Sequence, residues 1–170
     1  DVVISGSGPM TIGGRAIGVH LAPDAVTAGD VWLYDEATRV AVLGDLVTLP
    51  APFLDTACPS GWSDALRDVL AAPFEMAIPG HGVPMTRAQV EHYRVAFDAF
   101  IACSGSTRPT GECGTLWADS VESLFADAAT DKPRAQRLAE YYAGMLRENG
   151  GRSRDCEGPP EKRQSSSRLE

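Results

Sequence analysis

The sequence predicts one α/β domain in which a strand-rich first part is followed by helices. Short β-branched and aromatic runs, separated by Gly- and Asp-containing turns, dominate the chain before residue 50. After residue 60, apolar residues recur at helical spacing. The chain has 170 residues, of which 44% are hydrophobic. A chain of this length buries about 70% of its unfolded surface, so a single core is feasible.

The strands are bounded by turn residues. Gly13-Gly14 separates two apolar runs and predicts a hairpin, and Gly44-Asp45 closes a later β-branched run. A Pro-rich loop over residues 49–60 follows and lies near the strand ends, where a substrate-facing loop is expected. The predicted strands are residues 1–5, 10–12, 15–21, 31–34, 39–43 and 74–78.

The helices are indicated by apolar periodicity and by capping residues. Thr86 with Gln89 three residues later forms a capping-box pattern, and Pro133 suits a first helical turn. From Gly150 onward the chain is polar and poor in apolar residues, so residues 1–148 are expected to form the folded part and residues 149–170 a disordered tail. The predicted helices are residues 61–72, 86–102, 116–129 and 133–147.

Charge and hydropathy exclude some partners. With 15 basic and 23 acidic residues the net charge is −8, so we expect neither a nucleic-acid partner nor a basic membrane anchor. No apolar run approaches the ~20 residues that span a bilayer. Because the sequence begins at Asp1 and not at Met, we expect a cut or processed form.

Two predicted strand ends carry residues with metal or acid–base chemistry. Asp45 follows Gly44, and His81 lies between two glycines that permit close backbone approach to a ligand. In α/β folds, chemistry collects where strands end. An Asp and a His directed at one point can bind a metal, or act as a base and its orienting partner. The structural alternative is that Asp45 caps a turn and His81 bonds a loop carbonyl.

An ordered series of motifs extends these two. Thr27-Ala28-Gly29-Asp30, the Gly44-Asp45 strand end and Pro79-Gly80-His81-Gly82 occur in that order. The series resembles the second half of the metallo-β-lactamase superfamily, from Met10 to about Arg94. The resemblance implies the second half of an αββα sandwich, here followed by C-terminal helices. It also implies a metal-activated water that attacks an ester, thioester, amide or phosphoester.

The resemblance assigns roles residue by residue. Asp45 matches the bridging metal carboxylate, His81 matches the late metal-binding His, and Asp30 matches a loop Asp with a structural role near the site. The family's middle ligand His falls on Val26, which has no lone pair. The cofactor implied is zinc, with iron or manganese as alternatives.

The family's first half contributes a His-x-His-x-Asp-His motif that this sequence lacks. The other two histidines do not supply it, because His20 is expected to pack in a strand and His92 to face solvent on a helix. A catalytic zinc typically needs three protein ligands. We therefore expect the chain alone to be inactive, as half of a hydrolase, and either to bind the ion with an incomplete ligand set or to bind none. The alternative is a non-catalytic binding or scaffold module with this fold.

Half a sandwich leaves one sheet face open. We therefore expect a homodimer or a complementing chain that covers it. The small-molecule substrate remains unassigned, because the loops that select it differ between members of one fold.

The four cysteines leave alternatives open. Cys103 and Cys113 bracket a loop and are either a disulfide or two free thiols. A disulfide would indicate a periplasmic or secreted protein, and free thiols a cytoplasmic one. Cys58 is expected to be buried against Trp62, and Cys156 to be a free thiol in the tail.

Overall fold

A six-stranded sheet forms one layer of the structure, a computed structural model that describes residues 3–156. The strands follow one another across the sheet in chain order. Neighbouring strands are antiparallel except β4 and β5, which are parallel because a helix connects them. The strands are β1 (Gly8–Ile12), β2 (Arg15–Pro23), β3 (Gly29–Asp35), β4 (Val40–Thr48), β5 (Met76–His81) and β6 (Met85–Thr86).

Four α-helices accompany the sheet: the first two contact its strands, and the last two pack against the second helix and against each other. Helix α1 directs Trp62, Leu66 and Val69 into the core from one face, as the apolar spacing predicts. Helix α2 begins at the predicted capping box, in which Thr86 and Gln89 bond each other's backbone. The helices are α1 (Pro59–Ala71), α2 (Arg87–Ser104), α3 (Thr110–Val121) and α4 (Ala128–Glu148), with a short 3-10 turn at Glu122–Leu124.

The predicted hairpin is confirmed. β1 pairs with β2 in the register Ile12 with Arg15, which leaves Gly13 and Gly14 as the two-residue turn. Both glycines have positive φ, 58° and 80°, the combination that the tight hairpin turn requires.

The two faces of the sheet differ in exposure. The face toward the helices buries Trp32, Ala41 and Leu43 in the hydrophobic core. On the opposite face, Val42 and Ile78 pair across β4 and β5 and are 40% and 43% exposed. The described residues thus form a two-layer structure with one apolar sheet face open, as the predicted fold class requires.

The predicted boundaries of the last two helices are wrong. Helix α3 begins at Thr110, six residues before the predicted start, and ends at Val121. Helix α4 begins after Asp127, whose carboxylate accepts hydrogen bonds from the backbone N–H groups of Ala129 and Thr130. Pro133 therefore lies inside α4 and not at its start.

Both pairs of cysteines are disulfide-bonded. Cys103 is bonded to Cys113 between α2 and α3, and Cys58 is bonded to Cys156. The expectation of a free thiol at Cys156 is wrong, because residues before it return to the body of the protein. Within the predicted tail, the backbone N–H of Ser153 donates to Ala57 O at 3.3 Å, and residues 157–170 lie outside the described residues. Among residues 3–156, no helix has the length and apolarity needed to cross a membrane.

Candidate metal centre

The parallel strands β4 and β5 bring Asp45 and His81 together. The Nε2 atom of His81 lies 3.6 Å from Oδ1 of Asp45. Both side chains are about half exposed, at 54% and 52%. Neither residue belongs to the hydrophobic core, so a carboxylate oxygen and an imidazole nitrogen lie near each other at the surface.

Glycines make this approach possible. Gly44 has a φ of +53° at an irregularity in the β4–β5 pairing, a conformation that favours glycine. A Cβ atom at Gly80 would lie 2.8 Å from the carbonyl oxygen of Gly44 and would clash with Oδ1 of Asp45. Strand β4 continues past Asp45 to Thr48, so the expected strand end at Gly44-Asp45 is instead a bulge within the strand.

Buried aromatic residues fix β4 from the helical side. The Nε1–H of Trp62 donates to the carbonyl oxygen of Leu46 at 2.9 Å. The hydroxyl of Tyr93 lies 3.4 Å from both the N and the O of Thr48, where it accepts from the N–H and donates to the carbonyl. Complete burial raises the pKa of Tyr93 to about 12, so the hydroxyl remains neutral and donates. Asp45 therefore projects from a strand whose following residues, Leu46 and Thr48, are held by buried side chains.

The loop after β4 contacts His81 directly. The backbone N–H of Leu49 donates to the carbonyl oxygen of His81 at 3.0 Å. The ring of Phe53 meets the imidazole edge to face, with centroids 5.3 Å apart and an interplanar angle of 77°. His81 thus accepts a hydrogen bond at its backbone carbonyl, and its side chain lies beside the ring of Phe53 and the carboxylate of Asp45.

The other two residues singled out by the sequence lie at the start of β3, which contains Asp30, and in the turn before it, which contains Val26. The carboxylate of Asp30 accepts from the N–H of Thr27 at 2.9 Å and from its hydroxyl at 3.1 Å. Within residues 3–156, no hydrogen bond or ion pair joins Asp30 to Asp45 or His81. Val26 is 4% exposed and packs in the core.

The other two histidines lie elsewhere. The imidazole of His20 stacks on Trp32, with ring centroids 3.8 Å apart and an interplanar angle of 8°. Burial lowers the pKa of His20 below its ordinary value, and the carboxylate of Asp68 opposes that shift. His92 is exposed on α2. Across the described residues, no group of three or more His, Cys, Asp or Glu side chains is placed to hold a metal ion.

Comparison with known proteins identifies the fold. No protein-family model matches the sequence, and no curated protein matches it. A metallo-β-lactamase from Pontibacter korlensis superposes with a TM-score of 0.50 at 22% identity, covering 58% of this chain and 48% of that one. This chain has the metallo-β-lactamase fold in part.

A second solved structure, TMB-1, superposes over the same share of the chain. Its TM-score is 0.50 at 14% identity, and the match covers 58% of this chain and 47% of TMB-1. The chain therefore spans about half the length of the solved structures it matches. At these identities the likeness shows the metallo-β-lactamase fold, and the chemistry has to be argued from the residues.

The sequence does not single out the residues that surround the Asp45–His81 pair. Phe53 belongs to the Pro-rich loop, and no sequence pattern indicates the partner of Cys58. An aromatic residue in a loop adjoining a strand end was the only available signal for Phe53. Pairing between Cys58 and Cys156 has no signal in their spacing, since the two residues are separated by 98 positions.

Proposed function

We propose that this chain supplies part of the metal site of a metal-dependent hydrolase, with Asp45 and His81 as two of its ligands. The observation that carries the proposal is the 3.6 Å separation of His81 Nε2 and Asp45 Oδ1 on adjacent parallel strands. Two atoms each about 2.0–2.1 Å from one tetrahedral zinc lie about 3.3 Å apart, so the pair needs little adjustment to share an ion.

The donor types also fit. A carboxylate oxygen and an imidazole nitrogen suit zinc first, with iron and manganese as alternatives. A bound ion of this kind lowers the pKa of a water ligand to about 7 and so supplies a hydroxide nucleophile at neutral pH. Asp45 would contribute a carboxylate oxygen and His81 an imidazole nitrogen, and the ring of Phe53 meets that imidazole edge to face. The substrate would be an ester, thioester, amide or phosphoester.

Two donors do not complete a catalytic zinc site, which typically has three protein ligands. The remaining ligands would come from the part of the fold that the match to longer structures leaves unrepresented. The chain alone is therefore expected to bind metal weakly and to hydrolyse nothing at a measurable rate.

The second candidate function is a non-catalytic binding or scaffold module. Val26 favours it, because the position that resembles a ligand His carries a buried hydrocarbon side chain without a donor atom. In that case the open sheet face around Val42 and Ile78 would be the functional surface, covered by a second copy or a complementing chain.

Metal titration of the purified chain separates the two candidates. We expect one zinc ion to bind per chain, as measured by equilibrium dialysis. His81→Ala and Asp45→Ala should each weaken it by more than about tenfold, since even outer-shell substitutions cost 10–100-fold. His92→Ala, an exposed helical His, is the matched control and should leave zinc affinity unchanged. Zinc binding that is absent, or insensitive to His81→Ala, would refute the metal-site proposal and favour the binding module.

The two disulfides bear on the cellular compartment in which the protein is found. Cys58–Cys156 and Cys103–Cys113 persist in oxidising compartments and are rare where thiols are kept reduced. We propose a periplasmic or secreted location, which is tested by mass spectrometry of alkylated cysteines in the protein isolated from its source.

A further inference from the structure

Residues 49–58, here called the site loop, connect β4 to α1. The loop contacts His81 at one side and the C-terminal helices α3 and α4 at the other. The loop begins where Leu49 bonds the carbonyl of His81, and it carries Phe53 against the imidazole. Phe53 is only half buried, and His81 is exposed. The loop has no helix or strand of its own, so the position of Phe53 depends on what holds the loop elsewhere.

Two side chains, one from α3 and one from α4, form hydrogen bonds to the site loop. The Nε1–H of Trp117 on α3 donates to the carbonyl oxygen of Pro50 at 2.8 Å, in a buried contact. The hydroxyl of Tyr142 on α4 donates to the Asp55 carboxylate at 2.7 Å. Tyr142 is itself buried, and burial together with the Asp55 charge raises its pKa. Phe53 thus lies between two anchored positions.

The end of the loop is fastened by residues 149–156, here called the C-terminal segment. Cys58 is bonded to Cys156, and the neighbouring Ala57 accepts a hydrogen bond from the backbone of Ser153. Ser153 is only 2% exposed, so this part of the segment is packed and not merely tethered. Among residues 3–156, the disulfide is the only covalent link, apart from the chain itself, between the site loop and the segment.

We propose that Phe53 is a positioning residue for His81, and that the Cys58–Cys156 disulfide together with Tyr142 holds it there. Without this disulfide, as in a Cys58→Ser/Cys156→Ser variant, the C-terminal segment is freed, the site loop relaxes and the His81 ring is held less firmly. The other disulfide, Cys103–Cys113, connects α2 to α3 and includes no residue of the site loop. The arrangement of His81 would thereby depend on one specific disulfide. The inference rests on the proposed function only where it treats His81 as a metal ligand.

The test compares Cys58→Ser/Cys156→Ser with the matched control Cys103→Ser/Cys113→Ser. The first readout is the NMR chemical shift of the His81 ring protons, which reports the ring current of Phe53 and is assigned with His81→Gln. Phe53→Leu defines the shift expected when the aromatic ring is absent. We expect the Cys58→Ser/Cys156→Ser shift to move toward the Phe53→Leu value, and the control to stay at the wild-type value.

Two further readouts accompany the shift. Hydrogen exchange of the site-loop amides should accelerate in Cys58→Ser/Cys156→Ser and not in the control. Zinc affinity should fall about tenfold in the same variant and in Phe53→Leu. Loss of a residue that orients a metal ligand typically lowers metal affinity about 10–100-fold, and we expect the lower value. Tyr142→Phe, which keeps the ring and loses the bond to Asp55, should move all three readouts in the same direction and remains informative if the cysteine variant does not fold.

The outcomes separate this proposal from the preceding one. A wild-type chain that binds no zinc refutes the metal site, while the His81 shift and loop exchange still decide whether the disulfide positions Phe53. An unchanged His81 shift in both Cys58→Ser/Cys156→Ser and Tyr142→Phe overturns the positioning role, whatever the zinc affinity. Equal changes in the Cys103→Ser/Cys113→Ser control also overturn it, because the effect would then not be specific to the site loop.

Discussion

Replacing Gly80 by alanine tests the packing that brings Asp45 and His81 together. The added methyl group would lie 2.8 Å from both the carbonyl carbon and the oxygen of Gly44, and it would clash with the Asp45 carboxylate. The carboxylate can rotate away, but the Gly44 backbone cannot, so β4 and β5 must separate locally. Forced packing of this kind costs about 1–3 kcal/mol. We therefore expect Gly80→Ala to lower the free energy of unfolding by that amount.

The change is large enough for thermal unfolding followed by circular dichroism. For a chain of this length each kcal/mol shifts Tm by about 2–4 °C, so the expected decrease is about 2–12 °C. Gly144→Ala is the matched control. A methyl group there meets nothing within 4 Å, and alanine is favoured over glycine in a helix by about 1 kcal/mol, so Tm should rise. A Gly80→Ala chain that unfolds at or above the wild-type temperature would refute the reasoning.

Three further predictions test other parts of the structure. Because burial lowers the pKa of His20, the unfolded chain binds that proton more tightly, and stability should fall as pH decreases through about 6.5. His20→Gln should flatten this dependence in urea midpoints, and equal slopes would contradict the prediction. Ile78→Lys should abolish self-association in light scattering if the open sheet face is covered by a second copy, whereas a wild-type monomer at high concentration would count against that dimer. Thr86→Ala should cost about 1 kcal/mol in chemical denaturation and Thr86→Ser much less, and equal losses would rule out the capping role.

Features controlled by neighbours in sequence were predictable. The Gly13-Gly14 turn and the Thr86–Gln89 capping box each depend on residues at most three positions apart, and both occur as expected. The apolar face of α1 follows from spacing alone. The open sheet face follows from the predicted half of a sandwich, and Val42 and Ile78 lie on it.

Helix α3 shows why other boundaries were missed. Its first residues include Gly111 and Gly114, which by propensity favour a loop. A Cβ atom at Gly114 would lie 2.6 Å from the carbonyl oxygen of Gln136, so glycine is required where α3 crosses α4 closely. The residue that lowers local helix propensity is therefore the one that permits the tertiary contact, and no local pattern shows this.

The residues of the candidate site also fall into two groups: those that sequence patterns indicate and those that only tertiary packing places. Asp45 and His81 could be expected to converge, because each follows a glycine where an apolar run of the sequence ends, and chemistry collects at such ends in α/β folds. Phe53, Tyr142 and Cys156 could not, since their contacts join a loop to residues far along the chain through packing of the helical layer. Two candidate ligands on strands determine where a metal would lie, whereas the loop determines how freely His81 moves. A change in the C-terminal segment should therefore alter zinc affinity without altering the strand positions of either ligand. Measuring affinity and loop exchange in the same variants is what separates these two contributions.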